Sequence, residues 1–75
     1  MIGMLRYEDI QTLKAMYQPG MRIEMIEMKD MCGPVPSGTK GSVDFVDDAG
    51  QIQMTWDNGR SLAIVPEVDE FQIVK

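Results

Sequence analysis

Turn-forming residues interrupt this chain at intervals of about ten residues once its first segment has ended. Pro19-Gly20, Pro36-Ser37-Gly38, Asp47-Asp48-Ala49-Gly50 and Asp57-Asn58-Gly59 bound short apolar segments. Glycine reaches backbone angles closed to other residues, proline removes an amide donor, and Asn and Asp satisfy turns with their own side chains. The segments between such turns are too short for long helices, and their period is that of strands. "MRIEM" alternates, placing Met21, Ile23 and Met25 on one face. Ile26 and Met28 break that phase, which predicts a bulge or a strand end nearby. "SVDFV" over 42–46, "QIQMTW" over 51–56, "SLAIV" over 61–65 and "FQIV" over 71–74 complete a predicted set of five strands. Five short strands with tight turns suggest a small β-barrel or sandwich, and closure would remove exposed edges.

The turn at 57–59 admits two registers. Asn58-Gly59 as a two-residue loop pairs Trp56 with Ser61 and sets Leu62 and Ile64 on the face opposite Met54 and Ile52. A three-residue loop, Asp57-Asn58-Gly59, pairs Trp56 with Arg60, Met54 with Leu62 and Ile52 with Ile64. A one-residue slip reverses every side chain, so the agreement of apolar faces selects the three-residue loop, with Gly59 in the left-handed position.

The first segment differs. Residues 1–6 read as a flexible lead-in. "YEDIQTLKAMY", residues 7–17, then places Ile10, Leu13 and Tyr17 on one helical face, with Glu8 and Asp9 near its start. Pro19 and Gly20 stop it. So short a helix needs a tertiary surface to lie on.

Seventy-five residues, 44% hydrophobic and 25% charged, suit one soluble globular domain over 1–75. A core of this size rarely supplies more than roughly 3–5 kcal/mol, so staples matter. Cys32 is the only cysteine and there is no histidine. An internal disulfide and the usual zinc ligand sets therefore drop out, which leaves a well-closed core or self-association, so a homo-oligomer stays open. No apolar run is long enough to span a membrane, and "MIGML" before "RYED" is too short for a signal peptide. With a lone thiol, this predicts a cytoplasmic protein. The net charge is −5, and the seven basic residues, Arg6, Lys14, Arg22, Lys29, Lys40, Arg60 and Lys75, are scattered. Nucleic-acid binding usually leaves a basic cluster, so that class is disfavoured.

Several stretches suggest chemistry. "GPVPSGTKGS", residues 33–42, approaches a phosphate-binding loop, but Thr39 precedes Lys40, Pro34 and Pro36 lack amide donors, and a strand follows instead of a helix. A stiff loop leading into a strand is the better reading. Asp44, Asp47, Asp48 and Asp57 lack the calcium-loop spacing and read as turn residues. Cys32 has no partner base beyond nearby Lys29, and Glu67 with Asp69 is an acid pair without further signs of catalysis. No catalytic residue, cofactor or metal site is predicted. Trp56, Asp57 and Arg60 form the candidate partner-binding surface, with a cation–π contact between Trp56 and Arg60. The bland alternative has Trp56 closing the core with Ile52 and Met54. Of the eight methionines, Met21 and Met25 read as core, while Met4, Met16, Met28 and Met31 are candidates for an exposed patch.

"YQPGMRIEMI", "PVPSGTKGSV", "VDDAGQIQMTWDNGRSL" and "DEFQIV", in that order, cover nearly all of residues 17–74. In this ordered set the chain resembles the domain of unknown function (DUF) 4314 family of small bacterial proteins. "DMCG" at 30–33 departs from the pattern in its sulfur. The resemblance implies a bacterial protein of the kind carried on mobile elements or phage, with an SH3-like barrel. The expectation is thus a mainly β protein, a short N-terminal α-helix followed by a five-stranded SH3-like small β-barrel over 21–75. Its expected role is a non-enzymatic interaction module for a protein partner. The alternative is a nucleic-acid-binding accessory protein of a mobile element.

Overall fold

The computed structural model describes residues 6–29 and 33–74. A helix α1 (Tyr7–Met16) is followed by β1 (Arg22–Glu27), β2 (Lys40–Val46), β3 (Ile52–Trp56) and β4 (Glu70–Ile73). The strands form one antiparallel sheet in the order β3-β2-β1-β4.

Strand alternation decides what is buried. Ile23 and Met25 of β1 and Ile52, Met54 and Trp56 of β3 all point into the core, where Val43, Val46 and Ile64 join them. Two bulges adjust the phase. In β1, Met25 pairs with Phe71 and Glu27 with Glu70, so Ile26 is the extra residue. Ile26 turns outward and Met28 comes in, 8% exposed, at the break that the sequence shows. In β2, Val43 pairs with Met54 and Phe45 with Gln53, which makes Asp44 the extra residue. Unbroken alternation would bury Phe45; the bulge exposes it and returns Val46 to the core.

The helix is held lightly. The Arg6 amide donates to the Asp9 carboxylate at its start, and Lys14 pairs with Asp48 at 3.1 Å. None of its residues is fully buried; Leu13 packs on the core, as does Tyr17 just beyond the helix. The Tyr17 ring meets Phe71 edge-on, 5.7 Å between centroids.

The expected five-stranded SH3-like barrel does not form among the described residues: their sheet has four strands and stays open. The register chosen for the 57–59 turn is present at both ends. Trp56 donates to the Arg60 carbonyl at 2.8 Å, Ile52 and Ile64 exchange two hydrogen bonds at 2.9 Å, and Gly59 has φ of 90°. Between those ends the fourth predicted strand fails. The Trp56 indole N–H donates to the Leu62 carbonyl at 2.7 Å, occupying the acceptor that a Met54–Leu62 pair would use. Further on, the Val65 amide goes to the Asp69 carboxylate at 2.9 Å, and Pro66 has no amide to give. Side chains thus take up the Leu62 carbonyl and the Val65 amide, and a single bridge at Ile64 is what remains of the strand.

Candidate interaction site

The three residues of the predicted binding surface sit in three different environments. Trp56 is 1% exposed, with Ile52 and Met54 beside it in the core. Its ring lies against Gly41: a β-carbon there would stand 2.8 Å from both Trp56 Cε3 and the Thr55 carbonyl oxygen. Only glycine fits, because Gly41 and Trp56 are directly paired across β2 and β3. Arg60 sends its guanidinium to the carbonyl oxygens of Gly33 and Pro34, tying down the loop before β2. Asp57 is half-exposed and holds Arg22 through both carboxylate oxygens, while Arg22 Nη1 also donates to Ser42 Oγ at 2.9 Å. These hydrogen bonds keep the Asp57 carboxyl below its ordinary value and raise the Arg22 guanidinium. A Trp56–Asp57–Arg60 surface is therefore not assembled; the indole closes the core and the two charged groups brace neighbouring segments.

In the loop resembling a phosphate cradle, the Gly38 amide donates to the Met25 carbonyl at 2.7 Å and the Thr39 amide to Pro36 at 3.1 Å. The Thr39 carbonyl accepts from Met25, so the loop extends the β1–β2 pairing into β2. The Gly38 and Thr39 amides are thus spent on the protein itself.

The carboxylates act likewise. Asp47 accepts from the amides of Ala49 and Gln51 and from Gln53 Nε2, closing the β2–β3 turn. Partial burial pushes its carboxyl up, and the hydrogen bonds from Gln51, Gln53, Ala49 and Gly50 outweigh that and hold it below its ordinary value. Asp44 accepts from Thr55. Asp69, 9% exposed, divides its oxygens between the amides of Lys29 and Val65, both at 2.9 Å, so it pins the end of β1 to the 61–69 segment. Among the described residues no group of three or more Cys, Asp or Glu side chains could hold a metal ion. The methionine patch loses Met28 to the core, because the Ile26 bulge reverses the side chains after it; Met16 is exposed. Met4, Met31 and Cys32 lie outside the described residues.

The two edges of the sheet remain. Beyond β3 run residues 60–64, hydrogen-bonded to Trp56 and Ile52. Beyond β4 no strand pairs among the described residues. Val74 donates to the Arg22 carbonyl at 2.9 Å, so Gln72 and Val74 bond toward β1 while the N–H and C=O groups of Phe71 and Ile73 face outward. Phe71 is partly buried and Ile73 is 45% exposed, both on the core side of the sheet.

A family model described as "Domain of unknown function (DUF4314)" matches residues 6–74. The chain belongs to this family. The DUF4314 match takes in the helix and all four strands, with Gly41, Trp56 and Asp69 among its positions. No match to the chain was found among curated proteins or among solved structures. No described helix of this DUF4314 protein is long and apolar enough to cross a membrane.

Sequence reasoning missed the roles of four residues that organise this region. Gly41 has a signal in retrospect, since it falls opposite the only tryptophan once the β2–β3 register is drawn. Asp69 and the Arg22–Asp57 pair connect residues 40 and 35 positions apart, and local spacing carries no trace of them.

Proposed function

We propose that this protein is a non-enzymatic interaction module that receives a protein partner as an added strand along β4. One observation carries the reading: at this edge two alternate residues, Phe71 and Ile73, turn their backbone groups outward beside apolar side chains, Phe71 partly buried and Ile73 half-exposed. Strand addition uses that combination, with main-chain bonds for affinity and alternate side chains for selectivity. A catalytic role finds little support, since Asp47 and Asp69 are engaged by backbone amides and the sequence has no histidine. The basic side chains give nucleic acid little to hold. Among the described residues Arg6, Lys14, Arg22 and Lys29 are paired with carboxylates and Arg60 with carbonyls, which leaves Lys40 as the exposed cation without an ion pair. The single cysteine favours a reducing compartment, hence work in the cytoplasm.

The test compares a proline variant with a reference variant in tagged purifications from the native cell. The Ile73 amide faces outward, so Ile73→Pro keeps the β1–β4 ladder and removes a donor from the free edge. An exposed loop change, Ala49→Ser, serves as the reference. Loss of a specific protein partner with Ile73→Pro alone, at unchanged folding by circular dichroism, supports the reading. Retention of the partner by Ile73→Pro, or nucleic acid as the co-purifying species, overturns it.

A further inference from the structure

The charge around the open edge narrows what can lie there. On the core side an incoming strand would set its residues against Phe71 and Ile73, whose own cross-strand neighbours are Met25 and Ile23. Directly opposed side chains stand about 4.5–5.5 Å apart, so apolar residues belong at those positions. The other side of the same strand is acidic. Gln72 donates to Glu24 at 3.1 Å, and at the bulge Glu70 lies opposite Glu27. Like charges in direct opposition are destabilising. Lys29 balances Glu27 at 3.2 Å, and Glu70 stays exposed with no ion pair among the described residues.

We infer that the partner segment is an extended strand alternating apolar side chains with cationic ones, the cations falling on the side of Glu70 and Gln72. This rests on the reading of β4 as a docking edge. A second copy of the chain fits less well, because it would bring another net charge of −5 to the same border and would set Gln72 or Val74, neither of them cationic, beside these carboxylates.

Two capped seven-residue probe peptides separate the outcomes, one alternating valine with lysine and the other valine with glutamate. Amide hydrogen exchange is followed by NMR at low salt on the intact protein. The lysine peptide is expected to slow exchange at Phe71 and Ile73, with the glutamate peptide binding about threefold more weakly or worse. The exposed variant Glu70→Lys should invert that order. Equal protection by both peptides, or no inversion in Glu70→Lys, overturns the cationic assignment while the docking edge stands. Failure of both peptides to protect those amides overturns both readings. A dimer of the protein alone with the same amides protected replaces the basic partner with a second copy.

Discussion

The two edges of the sheet differ in how their backbone is treated. Along β3 the neighbouring segment is irregular yet engaged: Arg60 and Ile64 bond to the strand, and Trp56 reaches across to Leu62. β4 itself is paired as a strand with β1, and its outer groups have no strand partner among the described residues. Ladder regularity and edge protection are therefore separate properties. One indole, one carboxylate and one bridge cover an edge without forming a strand. A small domain with a limited core gains by shielding the edge that carries its largest side chain.

Removing the indole is the most direct way to break the covered edge. Trp56→Ala should cost about 3–5 kcal/mol, comparable to the whole stability of a domain this size, so a urea titration should find it largely unfolded. If it folds with only a small drop in midpoint, Trp56 does not anchor that edge. A matched pair of isoleucines tests the contrast itself. Ile64 is fully buried and Ile73 is 45% exposed, one at each border of the sheet. Ile64→Ala should lose about 2–5 kcal/mol and Ile73→Ala under about 1 kcal/mol. Similar losses in the two would remove the distinction between the edges.

Asp69 connects the two sides, since it binds Lys29 at the end of β1 and Val65 beyond the bridge. Asp69→Ala should cost about 1–3 kcal/mol per amide left unsatisfied, and less where water enters. Exchange at the Lys29 and Val65 amides should quicken together. If only one quickens, the carboxylate does not act as a single tie.

Apolar period made β1, β3 and much of β2 legible, because burial of one face is what alternation records. It also placed Ile52 opposite Ile64 and pointed to a bulge or strand end near Ile26 and Met28, where the bulge lies at Ile26. The same logic misread 61–65. Leu62 and Ile64 do face the core, yet the Leu62 carbonyl goes to an indole six residues away and the Val65 amide to a carboxylate four residues away. Side-chain competition of that kind leaves no periodic mark, so a buried irregular segment reads as a strand and the sheet reads as closed. The predicted surface residues are drawn apart for a related reason. Trp56 and Arg60 are adjacent in register, but Gly41 draws the ring inward while the Gly33 and Pro34 carbonyls draw the guanidinium away.

Acid should act more gently, and on one side first. Asp47 closes the turn into β3 and Asp57 follows its end, and both carboxyls lie below the ordinary 3.8 in the folded protein. A carboxyl lowered on folding contributes stability that is fully present above its unfolded value and is lost as pH falls through its folded value. The domain should therefore keep its urea midpoint from about pH 7 to about pH 5 and lose it progressively below about pH 4. Asp47→Asn leaves one oxygen to accept and should cost about 1 kcal/mol near neutrality, with a flatter acid limb. Asp57→Asn should do less at high salt, since its partner Arg22 is exposed to screening. Trp56 sits on β3 between these two carboxyls, so its fluorescence should report the acid transition before the Phe71 and Ile73 amides change. If those β4 amides respond first, the covered edge is the more acid-resistant of the two.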